Sequence, residues 1–359
     1  MIAVALGLLV GCAAPPPVPA RPQPAELLVA DENLPRETLL DVGLTIFDPG
    51  IPADRRAQEL NHIYPEVRQV EARYLPYVLR QTLEKSGQWG AVRVLPQPDP
   101  SAELLVTGTV MQSNGVELRI HVRAWDASGR EWINKVYSDT AGWNYYRDPP
   151  GYRVDPFQEL YNRVANDLSA ARAKLTATDL GRIMQISQLR YAAALSPGAF
   201  ADFLVAQPDG TVGLKRLPAR NDPMMARVER LRQSEYLFID TMDEQYASFF
   251  RSAGPTYSLW RRYSYGQTLE LEDLQQSERA GQRGFPAMKQ AYENFKEGKI
   301  QQQALKELAE SFNTEMDPTV MNLEGQVVQL SGSLQAQYSE WRRLLRAIYA
   351  EETGLPPVQ

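Results

Sequence analysis

Cysteine is all but missing from this chain of 359 residues: there is one, Cys12. No intramolecular disulfide can form, so stability has to come from apolar packing. Histidine is nearly as scarce. His62 and His121 are the only two, too few for a transition-metal site without spare cysteines. Neither suits the base of a serine nucleophile. His62 stands beside the loop-like Ile63-Tyr64-Pro65, and His121 lies in an alternating stretch out of phase with Ile120, pointing to solvent or along a sheet surface. Gly-x-Ser-x-Gly elbows, Walker-type glycine loops and dinucleotide fingerprints are absent as well. The apolar run at residues 2–10 is far shorter than the ~20 residues of a spanning helix. Positive charge is not in excess: a net charge of −6 argues against a general nucleic-acid surface.

One route to catalysis needs no histidine, since paired carboxylates alone run glycoside hydrolysis. Asp48, Glu66 and Glu71, near the end of the first strand, are the group that would serve. Acids at loop ends and helix starts are ordinarily caps or solvated charges, and that reading is preferred. Arg216, Arg220, Arg227, Arg230 and Arg232 form a locally basic run suited to lipid or lipopolysaccharide phosphates. Interspersed acids and helical spacing favour a solvated face instead.

What the N-terminus does contain is Leu9-Val10-Gly11-Cys12, placed after the apolar run and before a proline-rich stretch. That order resembles the lipobox of bacterial lipoproteins. The resemblance implies a signal peptide cleaved between Gly11 and Cys12, a diacylglyceryl thioether on the Cys12 sulfur and an acyl chain such as palmitate on its amino group. Several chains anchor a protein stably where a single one does not. In lipoprotein families an aspartate after the cysteine favours the inner membrane; Ala13 implies the outer membrane, with the body on its periplasmic face. No cofactor is expected beyond this covalent lipid.

The remaining chain divides into a proline-rich tether, residues 12–37, an α/β domain, 38–146, an aromatic and proline-rich linker, 147–156, a helical domain, 157–354, and a short tail, 355–359. Pro15, Pro16, Pro17, Pro19, Pro22, Pro24 and Pro35 favour extended polyproline II, a semi-rigid spacer. In the α/β domain, Leu44-Thr45-Ile46-Phe47 reads as a strand stopped by Asp48-Pro49-Gly50. A helix over residues 68–85 follows, with Pro76 kinking it or marking its start. Residues 92–95 and 104–111 read as strands, and Asn114-Gly115 turns the chain into the strictly alternating run 116–125. Asp126-Ala127-Ser128-Gly129 leads to a last strand from Glu131, completing a meander. Strand, helix, strand and meander, with phrases such as Leu83-Glu84-Lys85-Ser86-Gly87-Gln88-Trp89-Gly90, resemble the α/β domain of periplasmic proteins: the TolB N-terminal region, CsgG-like and LptE-like lipoproteins. The fold class expected is therefore α+β, a small α/β sheet domain followed by a mostly α-helical one. Fold alone implies no function.

Trp143, Tyr145, Tyr146 and Tyr152 crowd the linker, where they either staple the sheet to the next helix or form a partner-binding edge rich in hot-spot residue types. Asp155-Pro156 starts the helical part. Ser196-Pro197-Gly198 stops a first pair of helical stretches, residues 212–217 suggest a short strand, and Ala253-Gly254-Pro255 is expected to break the helix over 224–251. Val320, Leu323, Val327, Leu330, Leu334, Trp341, Leu344 and Ile348 fall on three- and four-residue steps, the seam of a coiled-coil-like C-terminal helix interrupted by Gln337. The seam pairs either within the chain or with a second copy, and Trp341 is its partner-contact candidate. Gly325 and Gly332 would let a neighbour approach that helix closely. Together these features predict a non-enzymatic outer-membrane lipoprotein, a scaffold or accessory subunit of a secretion, transport or surface-assembly machine. Its partners would be the membrane, other envelope proteins and, through the last helix, a second copy. The alternatives are a carboxylate-dependent glycan hydrolase of the periplasm and a carrier of lipid or another envelope ligand in an apolar groove among the helices.

Overall fold

The structure is a computed structural model that describes residues 24–31, 34–61, 63–146, 155–279, 318–323 and 325–355, with a few single helical positions between 296 and 307. The lipobox, Gly11, Cys12, His62 and Tyr152 lie outside the described residues.

The fold is α+β, as expected. A five-stranded sheet has the order β2-β1-β3-β4-β5. Its strands are β1 (Val42–Thr45), β2 (Val92–Leu95), β3 (Leu104–Ser113), β4 (Glu117–Asp126) and β5 (Glu131–Thr140). β1 runs parallel to both β2 and β3, and β3, β4 and β5 form the antiparallel meander. Strict alternation in β4 leaves every second residue buried, as period-2 patterning requires. The short helix α1 (Arg55–Leu60) and the long α2 (Pro65–Ser86) make the crossover from β1 to β2. Parallel neighbours need such a connection. Gly87, at φ 64°, ends α2 in the left-handed region.

Pro76 neither breaks α2 nor starts it; it sits buried inside. Without an N–H it leaves the Ala72 carbonyl, four residues earlier, free of its helical donor. That carbonyl accepts from the Phe47 N–H at 2.8 Å. The unsatisfied group thus fastens the end of the β1 segment to the helix above it.

α2 and α3 (Gln158–Arg172) cover one sheet face, packing on Leu44, Val106, Ile120, Val122 and Tyr137. Pro24 to Asp31 crosses the outer side of this helical pair. The Ala30 N–H donates to Ser86 O at 2.8 Å, the Leu28 N–H to Asn166 Oδ1 at 2.9 Å, and Asn162 Nδ2 to Ala25 O at 2.8 Å. Among the described residues, the opposite face is covered only at its β2–β1 end, by α4 (Ala177–Leu195) and α6 (Pro223–Arg279). A reciprocal capping box of Thr176 and Asp179 starts α4. The expected short strand is β7 (Val212–Leu214), paired with β6 (Leu204–Ala206) after the small helix α5 (Pro197–Phe200).

Two expectations for the helical part are corrected. Ala253-Gly254-Pro255 does not interrupt α6. Phe249, Ala253, Tyr257 and Trp260 form one apolar stripe buried on Val67 and Val70 of α2, and Arg251, whose carbonyl loses the Pro255 donor, is exposed to water. The helical seam also begins later than its spacing suggests. β8 (Thr319–Leu323) and β9 (Gln326–Leu330) form an antiparallel hairpin, and only α7 (Leu334–Thr353) is helical. Thr319, Met321 and Leu323 point inward on strand alternation, whereas Val320 and Val327 are 60% and 74% exposed. Gly325 and Gly332, at φ 82° and 102°, are turn glycines and not contact points on a helix. Gln337, the break in the seam, accepts from Thr319 Oγ1 at 2.7 Å and donates to Gly332 O at 2.9 Å, stitching the hairpin to α7. The α7 stripe faces α6 and α4 within the chain, and one apolar core runs from β1 through Phe238 of α6 to Trp341.

Candidate functional site

The half of the sheet that no described element covers is one candidate surface. Register places Thr109, His121 and Val136 in one row across β3, β4 and β5, and Thr107, Arg123 and Asn134 in the next. Met111 and Val136 are 46% and 47% exposed. The Arg123 guanidinium lies 4.4 Å from the centre of the Trp125 ring and pairs with Glu131 at 3.0 Å, and His121 Nε2 meets Asn134 Oδ1 at 2.8 Å. His121 therefore lies along the sheet surface, engaged by the Asn134 amide. The face mixes apolar, aromatic and oppositely charged groups, the composition that protein contacts use.

The sequence candidates for partner contact are placed differently from one another. Tyr145 is 45% exposed, whereas the side chain of Trp143 falls outside the described residues. Tyr146 is buried: its hydroxyl donates to Gly115 O at 2.6 Å and its ring lies 5.0 Å from Tyr265. It staples the β3–β4 turn to α6. Trp341 is fully buried and stacked on Phe238 at 5.3 Å. Both are core residues, a correction that spacing alone did not reveal because a core seam and a contact seam have the same period.

The nominated carboxylates do not form an open pair. Asp48 accepts from the Gly50 N–H in a turn, and Glu66 accepts from Gln302 Nε2 at 3.2 Å. Glu71 is sealed between α2 and α6, accepting from Ser113 Oγ at 2.5 Å and Tyr257 Oη at 2.8 Å, with Arg68 at 3.6 Å. Of the basic run, Arg227 and Arg230 pair with Glu352 and Arg216 with Asp202. Arg232 is not on a solvated face at all; it is buried.

Arg232 belongs to a polar network whose members lie too far apart along the chain to be grouped by pattern. Its Nη2 donates to Ser101 O at 3.0 Å and Ser187 Oγ at 2.7 Å, and its Nε to Tyr236 Oη at 2.7 Å. Glu235 accepts from Tyr338 Oη at 2.7 Å and lies 3.7 Å from Arg342, which also pairs with Asp99 at 3.5 Å. Beneath it, Glu103 accepts from the Asp41 N–H at 2.8 Å, and Arg93 pairs with Asp41 and Asp240. Burial, with the Asp41 charge adding to it, pushes the Glu103 carboxyl up to about 7 against the pull of the Asp41 N–H, Arg232 and Arg36. Burial and Asp99 also raise Glu235, offset by Arg342 and two tyrosine hydroxyls. Such shifts mark functional sites and structural networks alike. The adjoining cavity, ≈ 30 Å³, has space for a water and none for a saccharide ring. The network joins the β2–β3 loop to α4, α6 and α7. Among the described residues no cluster of histidine, cysteine or carboxylates has the arrangement to hold a metal, and no helix is long and apolar enough to cross a membrane.

No protein-family model matches the chain, and comparison with curated proteins finds no match.

Proposed function

We infer that this chain is a lipid-anchored outer-membrane protein that acts without catalysis, as a scaffold or accessory subunit of an envelope assembly. The observation that carries the reading is the uncovered β3–β5 face, with Met111 and Val136 exposed beside Arg123, Trp125 and His121. The docked segment 24–31 gives that face an orientation. It lies across α2 and α3, the layer on the other side of the sheet. A proline-rich stretch of twelve residues, the number from Cys12 to Gln23, spans at most roughly 37 Å at ~3.1 Å per residue in polyproline II, enough to link a lipidated Cys12 to that layer. The anchor then holds the helical side, and the sheet side is left for a periplasmic partner. Asp48, Glu66 and Glu71, the carboxylates with the strongest case for glycan chemistry, do not form an open pair.

Crosslinking in cells followed by purification of the full-length chain tests this. Defined envelope proteins are expected with the wild type, fewer with Cys12→Ser, and none with Val136→Glu or Met111→Glu at unchanged circular dichroism. Recovery of the protein alone from wild-type cells, or undiminished partners with both face variants, refutes the reading.

A further inference from the structure

Above the buried network a second cavity, ≈ 430 Å³, opens between α4, the β6–β7 hairpin and α7. That volume is within the range of small-molecule sites. Its walls are apolar: Ala193 and Ala194 of α4, Leu204 and Val205 of β6, and Val212 of β7. The charged groups in its lining are Asp99, Arg190 and Arg342. Asp99 and Glu235 answer Arg342, at 3.5 and 3.7 Å. Arg190 has no such partner. Its Nε is buried without an acceptor, and no ion pair holds its guanidinium among the described residues. The carboxylates of Asp126 and Asp99 act on it from a distance, but Asp126 is occupied by the Ser128 hydroxyl and Trp132 Nε1 and Asp99 pairs with Arg342. Burial works against the Arg190 charge, yet a guanidinium does not shed its proton in proteins.

A cavity with apolar walls, one internally paired arginine and one guanidinium without an ion-pair partner among the described residues has a defined complement. A planar carboxylate matches the fork and the single charge. A dianionic phosphate would bring a second negative charge toward Asp99, and a small inorganic anion would leave the apolar walls empty. We propose that this cavity binds a small amphiphile with one carboxylate and a hydrocarbon chain, of the medium-chain fatty acid class. The carboxylate accepts from Arg190 and the chain lies against Ala194, Leu204 and Val205. The site is separate from the open sheet face and does not depend on a partner binding there.

The test is calorimetric titration of the full chain carrying Cys12→Ser, prepared without detergent, with decanoate below its micellar concentration. Decanol supplies the chain without the charge, and acetate the charge without the chain. Saturable decanoate binding near one per chain is expected, with decanol and acetate each about ten-fold weaker or more. Arg190→Gln is expected to weaken decanoate by roughly ten- to a hundred-fold, the range of a charge-assisted contact, and to leave decanol unchanged. Ala194→Phe, which fills the cavity and leaves Arg190 intact, weakens both. If circular dichroism shows Arg190→Gln unfolded, Arg190→Lys and Ala194→Phe carry the same comparison. Equal binding of decanoate and decanol, undiminished binding by the folded variants, stoichiometry far above one or no saturable binding to folded protein overturns the proposal.

Discussion

Replacing Trp341 by alanine separates a core helix from a docking helix. The indole is fully buried, stacked on Phe238 and within reach of the core that continues to the sheet. An aromatic side chain of this kind buries about 150–250 Å². At ~25 cal/mol per Å² its removal forfeits about 4–6 kcal/mol, an upper bound because the unfolded chain already hides some of that area. Large-to-small aromatic substitutions in cores cost about 3–5 kcal/mol, and that is the expected loss. Trp341→Phe gives the internal control. The Trp341 Nε1 is buried without an acceptor, an existing penalty of about 1–3 kcal/mol that phenylalanine removes while leaving a smaller void. The two effects offset, so Trp341→Phe is expected to stay within about 1.5 kcal/mol of the wild type. Urea unfolding followed by circular dichroism, with crosslinked partners scored in parallel, reads both. A Trp341→Ala protein of wild-type stability that has lost its partners would refute the core assignment and restore the docking one.

Three further outcomes are expected. Arg261 is buried against Asp155 at 2.6 Å, so Asp155→Ala leaves an unpaired internal charge and should cost about 3–5 kcal/mol, whereas Asp155→Ala with Arg261→Met should recover most of it; equal unfolding midpoints for the single and double variants would sink this. Glu103 is raised from 4.5 to about 7 in the folded chain, so its contribution is present below pH 4.5 and lost as pH rises toward 7; Glu103→Gln should gain stability over the wild type across that window, and a constant difference in unfolding midpoint from pH 4 to 8 would count against it. Gly115 turns β3 into β4 at φ 78°, and a Cβ there would meet the Arg261 carbonyl and the Tyr265 backbone; Gly115→Ala should cost well over the ~1–2 kcal/mol of the left-handed conformation alone, which thermal unfolding would show.

The sheet was legible from the residues because one face is buried throughout, so alternation in residues 116–125 and the turns at 114–115 and 126–129 both pointed to β4 and its neighbours. Local chemistry fails where two periods coincide. Val320, Leu323, Val327 and Leu330 fit a helical seam, but Thr319, Met321 and Leu323 also fit a strand, and tertiary contact through Gln337 selects the hairpin. Pro255 misled for a related reason. A lost hydrogen bond breaks a helix only where nothing else satisfies the freed carbonyl, and Phe47 satisfies the one left by Pro76. The Arg232 network and the Arg190 cavity were beyond reach from one sequence, because their members come from residues 99, 101, 187, 190, 232, 235 and 342 and only the packing of α4, α6 and α7 brings them together.

The same packing separates the tasks this chain can perform. Face one of the sheet is sealed by α2 and α3, and the segment leading from the tether is hydrogen-bonded to that layer. The hydrogen bonds that hold residues 24–31 fall on Asn162, Asn166 and Ser86, while the β3–β5 face and the Arg190 cavity lie on other sides of the core. Loosening these bonds should leave both surfaces intact and, under the proposed anchoring, change only how far the body stands from the membrane. Asn162→Ala with Asn166→Ala is expected to expose residues 24–31 to proteolysis while lowering the unfolding free energy by no more than about 1–2 kcal/mol, two half-buried hydrogen-bonded amides at about 1 kcal/mol or less each. Global unfolding of that variant would mean the segment is part of the core and not its leash.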